Sequence, residues 1–263
     1  VRLGSFNIMH GLSLTDGTVE PARFAAAVSA LGVDVLGLQE VDLDQPRSGG
    51  LDLAAEAAAM IGAGDDDWRF VPTVFGTPGV GWRPADGQRR DDEPAYGIAL
   101  ISRLPVREWR VIDLGRAPVR SPIAIPGGPD RRGRLIMLDD EPRAAIAARV
   151  ESAGGPLTVV NTHLSFVPGW NAVQLRRLAR RLADVPGPLV LLGDLNLPGR
   201  LPAALTRWRR LAVTPTYPAH SPRVQLDHVL ARGPVGRIIA VQARRVPISD
   251  HLALSVDLAD PRA

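Results

Sequence analysis

The sequence predicts a mixed α/β fold. Two observations carry that prediction: short apolar runs with β-type residues recur along the whole chain, and several are separated by Ala- and Leu-rich segments of helical period. In chain order, strands are expected at residues 2–6 and 33–38, flanking a helix at 21–31. That helix opens on Pro21 and is followed by Gly32, the asymmetry that helix termini favour. A second helix is expected at 51–61, where Ala dominates, and strands follow at 69–74, 96–102, 106–112, 145–151 and 157–162. The segment 170–182 reads as a third helix: Leu175, Leu178 and Leu182 share one face, and Arg176, Arg177, Arg180 and Arg181 form a solvated face opposite. The last strands are expected at 189–193, 226–230, 238–246 and 251–257. Two stretches break the pattern. Residues 76–94 are rich in Gly, Pro and charge, and residues 114–142 carry Arg116, Arg120, Arg131, Arg132 and Arg134. Both read as long surface loops, and loops of that length tend to bind ligands. With no repeat and no linker, a single domain over residues 1–263 is expected.

Composition narrows the chemistry. The 263 residues are 45% hydrophobic and 22% charged, which excludes a disordered chain, a collagen and a small disulfide scaffold. There is no cysteine, so thiol catalysis, iron–sulfur clusters, thiolate zinc sites and disulfides are excluded together. Any metal must be held by oxygen or imidazole. No apolar run approaches the ~18–20 residues of a membrane span, so a soluble protein is expected. All 31 basic side chains are arginine against 28 acids, a net charge of only +3. The sequence pI of 10.3 overstates the basicity, because without Lys or Cys little loses charge between His and Arg. Nucleic acid is possible as a partner but not indicated by this balance. The chain opens on Val1; a cytoplasmic location is slightly favoured, with a trimmed N-terminal signal left open.

Function is carried by where the polar residues fall. Apolar strands finish at Asn7, at Gln39-Glu40, at Asn161 running into His163, and at Asp194-Leu195-Asn196. Leu226-Asp227-His228 opens another strand, and Ser249-Asp250-His251 opens the last. If the strands share a sandwich with these ends on one rim, groups able to bind metal or move a proton converge from both ends of the chain. Each has a plain alternative: Asn7 as a turn, Glu40 as an exposed acid, His163 as a structural histidine, Asp194 and Asn196 as an Asx turn. Asp227 and His228 alternate along a strand, so only one of them can face the same side. Their joint occurrence at strand ends favours chemistry.

The segments Ser5-Phe6-Asn7, Leu38-Gln39-Glu40-Val41, Asn161-Thr162-His163-Leu164, Gly193-Asp194-Leu195-Asn196, Leu226-Asp227-His228 and Ser249-Asp250-His251 resemble the endonuclease/exonuclease/phosphatase superfamily, also called deoxyribonuclease I-like. The stretch 96–105, YGIALISRLP, is also similar to a core strand of that family, and the resemblance spans residues 2–258. It implies a four-layer α/β/β/α sandwich of two facing mixed β-sheets flanked by helices, and a phosphoesterase using Mg²⁺ or Mn²⁺. Hard oxygen ligands suit such an ion, which keeps several waters and needs only one or two carboxylates. By the resemblance, Glu40 holds the metal with Asn7 as a neighbour and Asp250 assisting. His251 is paired with the orienting carboxylate Asp227, and Asp194 and Asn196 hold the nucleophilic water. Either Asp194 or His251 is the general base. His163 resembles the second histidine of the deoxyribonuclease and sphingomyelinase branches, which contacts the phosphate or helps the leaving group. Met9 stands where some nuclease members carry an acid. Gln39 is expected to be structural, Arg143 matches a frequent family arginine or forms a surface salt bridge, and His228 has no assigned role.

The expected reaction is hydrolysis of a phosphodiester, in nucleic acid or in a small molecule or lipid headgroup, by in-line attack of an activated water. The alternatives are a phosphomonoesterase on a sugar or inositol phosphate, and a non-catalytic binding or scaffold protein that keeps the fold. A phosphate-ester substrate and a monomer are expected. The arginines of 114–142 are candidates to meet that substrate, and Trp82 and Trp170 are candidates to stack on a base or sugar.

Overall fold

The computed structural model describes residues 1–125 and 134–259. Strands β1 (Arg2–Asn7), β2 (Val35–Leu43), β3 (Trp68–Thr77), β4 (Gly81–Pro84), β5 (Ala95–Ser102) and β6 (Val106–Gly115) make up the first half. β7 (Ser121–Ile125) and β8 (Arg134–Leu138) form a separate hairpin. They are followed by β9 (Arg143–Ser152), β10 (Gly155–His163), β11 (Leu189–Asp194), β12 (Arg209–Arg210), β13 (Asp227–Arg232), β14 (Ile238–Arg244) and β15 (Ala253–Leu258). Helices are α1 (Pro21–Ser29), α2 (Leu53–Ile61), α3 (Trp170–Arg181) and α4 (Leu201–Thr206).

Two mixed sheets result, ordered β14-β15-β1-β2-β5-β3-β4 and β12-β13-β11-β10-β9-β6. Each contains one parallel pair, β1 with β2 and β10 with β11; the other pairings are antiparallel. A parallel pair needs a crossover, supplied by α1 in one sheet and α3 in the other. Each crossover delivers two strand C-termini to one edge of its sheet. The ends of β1, β10 and β11 carry Asn7, His163 and Asp194, and Glu40 sits shortly before the end of β2.

Three apolar clusters fill three interfaces of a four-layer sandwich. Phe6, Leu36 and Leu38 of one sheet meet Phe24 of α1 and Leu53 of α2. Leu3, Val35 and Leu100 meet Ile146, Val159 and Val190 between the sheets. Val160 and Leu191 meet Leu175 and Leu178 of α3 on the far side. Alternation along each strand then fixes which polar residue faces inward. In β1 Leu3 points between the sheets, so Ser5 and Asn7 do too; in β10 Leu157 and Val159 lead to Asn161 and His163.

Asn161 lies too deep for the rim. Its amide donates to Leu38 O and Ala99 O of the opposite sheet at 2.8 Å each, and its Oδ1 accepts from Gln39 Nε2 at 2.7 Å. Gln39 also donates to Ser5 Oγ, so it is structural as expected. This buried tie needs Gly37, because a Cβ there would stand 2.7 Å from the Asn161 side chain.

Several expectations are corrected. The strand expected to end at residue 38 continues to Leu43 through a bulge at Glu40, because backbone pairing with β5 resumes at Val41. The strand expected from residue 251 begins at Ala253; a turn with Ser249 at φ 71° occupies the preceding residues. The two expected loops contain hairpins. β4 pairs with β3 inside 76–94, hidden because a four-residue edge strand with Gly and Pro reads as turn, and β7 pairs with β8 inside 114–142. Arg131 and Arg132 lie outside the described residues. α4 was too short to show a period. α3 turns Arg176, Arg180 and Arg181 to solvent, as its pattern predicts, whereas Arg177 is half-buried and donates to Leu114 O at 2.8 Å.

Candidate active site

The rim between the sheets opens into a cleft of about 1100 Å³ whose lining includes Glu40, His163, Asp194, Asn196, Asp250 and His251. Asn7 and Asp227 stand immediately behind that lining and touch it through hydrogen bonds. The eight residues singled out in the sequence therefore meet in one place.

Glu40 reaches the cleft because it is the extra residue of the β2 bulge, held at φ 58°. Regular alternation would turn it outward with Leu38; the inserted residue resets the pattern so that Val41 takes the outward place. Asn7 fixes the carboxylates around it. Its Nδ2 donates to Glu40 Oε1 at 2.9 Å and to Asp194 Oδ2 at 3.1 Å, while its Oδ1 accepts from Met9 N. Burial pushes the Glu40 carboxyl up to about 7, against the opposing hydrogen bond from Asn7.

Asp194 sits at the centre. Its Oδ1 accepts from Asn196 N at 3.0 Å, and its Oδ2 lies 3.6 Å from His163 Nε2 and 3.7 Å from His251 Nε2. Burial raises its carboxyl to about 6, opposed by the positive field of His251. Gly193 beside it has φ 146°, and a Cβ there would strike Thr162 O at 2.0 Å, so only Gly lets β11 run this close to β10.

The two histidines are held differently. His251 Nδ1 donates to the fully buried Asp227 Oδ2 at 2.8 Å, and Tyr217 packs on the ring with centroids 4.9 Å apart. Burial alone would lower the His251 pKa, but the carboxylates of Asp227 and Asp194 outweigh it and push it up to about 10. His163 Nδ1 instead accepts from Arg143 Nη1 at 3.1 Å. Arg has only donors, so with Nδ1 accepting from Arg143 the ring proton of neutral His163 sits on Nε2, which lies 3.3 Å from Asn196 Nδ2 and 3.6 Å from Asp194 Oδ2. Burial, then Arg143 and His251, hold the His163 pKa well below its ordinary value.

Arg143 was the residue sequence reasoning weighed least well: it is buried, not a surface salt bridge, with Glu141 at 3.7 Å. Strand alternation carried no signal for it, because Arg143 opens β9 in the phase of Ala145 and Ala147, which pack toward α3. His228 faces away and donates from Nε2 to Leu197 O at 2.8 Å. Trp82 lines the cleft, whereas Trp170 opens α3 and is not part of the lining.

The donor set suits a hard divalent cation. Glu40 and Asp250 offer carboxylate oxygens to the cleft, and a dication there would restore the charge that burial of Glu40 disfavours. Asp194, Asp227 and His251 also bring one ligand atom each within 4.8 Å of one another. Asp227 and His251 already spend Oδ2 and Nδ1 on each other, so two of that trio are a hydrogen-bonded pair first, with Asp194 standing 3.7 Å from His251 Nε2.

Comparison with known proteins agrees with this fold. A structure described as endonuclease/exonuclease/phosphatase from Beutenbergia cavernae is similar with 24% identity and a TM-score of 0.70, covering 98% of this chain and 71% of that one. A mannosyl-6-phosphatase of Bacteroides thetaiotaomicron is similar at 13% identity, TM-score 0.58, over 98% and 99% of the two chains. D. rerio TDP2, solved in complex with a single-strand DNA product, is similar at 16% identity, TM-score 0.57, over 97% of both. No curated protein is a significant sequence match. The sequence matches the Endonuclease/Exonuclease/phosphatase family across residues 4–251, nearly its whole length, and the chain belongs to that family.

Proposed function

We propose that the chain is a Mg²⁺- or Mn²⁺-dependent phosphoesterase that hydrolyses a phosphodiester by in-line attack of an activated water. The single observation that carries the reading is the convergence of Glu40, Asp194, His163 and His251 on one cleft. Members of the family are generally hydrolases of phosphate esters. Glu40 and Asp250 are the residues that would hold the cation, with Asn7 keeping the Glu40 carboxylate in place. When bound, that ion neutralises the phosphoryl oxygens and the leaving oxygen.

Asp194 and Asn196 orient the water. With its carboxyl near 6, Asp194 is ionised at neutral pH and takes the proton, whereas His251 near 10 already carries one. His251 therefore contributes as an imidazolium, held by Asp227 and aimed at the charge that develops on the phosphoryl group. His163 contributes a neutral Nε2–H, a hydrogen-bond donor to a phosphate oxygen rather than an acid.

Hydrolysis of bis-p-nitrophenyl phosphate tests this reading. Turnover is expected with Mg²⁺ or Mn²⁺, none with excess chelator, and a loss on the order of 10²–10⁴ in Asp194→Asn and in His251→Ala. Absence of metal-dependent turnover in the folded wild type would favour the binding-protein alternative.

A further inference from the structure

Beyond the reacting groups the cleft has a second pole. Its far wall joins the two sheets: Trp82 comes from β4, the edge strand of one sheet, and Arg116 directly follows β6, the edge strand of the other. The Arg116 guanidinium lies over the indole, with Cζ 5.7 Å from the ring centroid. Both residues line the same cavity as Glu40 and His251.

The charges along that cavity are unequal. Arg83 is paired with Glu93 at 2.7 Å, Arg120 with Asp139 at 3.3 Å, and Arg143 with Glu141 at 3.7 Å. Among the described residues, Arg116 alone of the cleft arginines has no carboxylate partner. Its guanidinium lies within cation–π range of Trp82, and no hydrogen bond to a described residue occupies its N–H donors. A guanidinium recognises a carboxylate or phosphate by paired hydrogen bonds. A nucleobase stacking on Trp82 would have to displace it. The cavity of about 1100 Å³ also far exceeds a single phosphoryl group, which leaves room for a substrate body beyond the reacting end.

We propose that Arg116, seated on Trp82, is a second anion subsite, and that the substrate is a phosphate ester carrying another phosphate or carboxylate at the far end of the cleft. This rests on the phosphoesterase reading above and deepens it. The acids at the metal end and Arg116 at the other orient such a molecule in one direction.

The test is calorimetric titration, in Mg²⁺, with an alkylphosphonate, the matching α,ω-alkanebisphosphonate and the matching phosphonocarboxylate, over a graded series of chain lengths. None of these is cleaved, so binding is read apart from turnover. At one chain length a doubly anionic ligand is expected to bind about ten-fold tighter than the alkylphosphonate, the effect of one added charge-assisted pair. Which of the two wins distinguishes a phosphate from a carboxylate. Arg116→Ala and Arg116→Glu are expected to bring that ratio to about one, and Trp82→Leu to lower it, while the control Arg176→Ala on α3 keeps it. A wild type that hydrolyses bis-p-nitrophenyl phosphate but shows no preference at any chain length would overturn the subsite and leave the phosphoesterase reading standing. An unchanged ratio in Arg116→Ala, or equal weakening of both ligand types, would also overturn the subsite. A wild type that neither hydrolyses the ester nor binds any phosphonate would bring down both.

Discussion

Arg143 and His163 illustrate how one buried contact decides what a histidine can do. Because Arg143 occupies Nδ1, Arg143→Gln, whose amide can turn either way, is expected to release the tautomer and lower kcat on the order of 10–100-fold, the range for partners that orient a histidine. Nitrogen NMR of the His163 ring checks it: the Nε2–H signal should dominate in the wild type and become mixed in the variant. The pH profile follows from two other residues. Asp194 must be ionised, so kcat/KM falls as pH drops through about 6; His251 must be charged, so it falls again as pH rises through about 10. A single ascending limb continuing above that range would contradict the assignment of His251 as an imidazolium. His228 was left without a role by the sequence, yet alternation already implied that it and Asp227 face opposite ways. Buried and held near 4, it resists protonation in the fold but not in the unfolded chain, whose value is 6.5. Its contribution is present above pH 6.5 and is lost as pH falls toward 4, up to about 3 kcal/mol. His228→Gln, which keeps a donor and cannot titrate, should gain on the wild type by up to that amount across the same interval in denaturant unfolding.

At the scale of elements, the strands that carry the site were legible because their inward residues change from apolar to polar at one end. What could not be read was the depth of each polar residue. Asn161 and His163 are two positions apart on the same face of β10, and only the facing sheet shows that the first is a tie and the second is at the rim. The bulge that aims Glu40 was equally hidden, since a left-handed residue in a strand is imposed by pairing with β5, not by Glu itself. The hairpins inside the expected loops differ in kind. β7 and β8 are short apolar runs flanking a Gly- and Pro-rich stretch of sequence, a signal present in the sequence, whereas β4 depends on β3 for its pairing. The tie between sheets makes its own prediction. Gly37→Ala would force a Cβ within 2.7 Å of Asn161, and the overpacking is expected to cost about 1–3 kcal/mol in thermal or denaturant unfolding. Turnover should fall with it, because Gln39 and Asn161 underlie Asn7 and Glu40. A variant as stable as the wild type would show that the sheets separate freely at this level.

For the whole molecule, site formation and cation binding are linked. Glu40 has a raised pKa in the fold, so without a cation its contribution to stability is full below 4.5 and is lost as pH rises through about 7. A bound dication competes with that proton and reverses the trend. The increase in Tm produced by Mg²⁺ should therefore grow across the same pH interval and vanish in Glu40→Gln. The family resemblance was readable end to end because the polar strand ends keep their order along the chain. The far wall of the cleft was readable only in part: Trp82 and Arg116 were candidates for substrate contact, but both lie in segments whose sequence reads as loop, so their meeting was not. The most direct test of the account is anomalous diffraction from crystals soaked in Mn²⁺. One strong peak is expected, bonded to the Glu40 carboxylate at about 2.1–2.2 Å on the cleft side with Asp250, and lost in Glu40→Gln. A peak between Asp227 and His251, or none near Glu40 at saturating Mn²⁺, would contradict it.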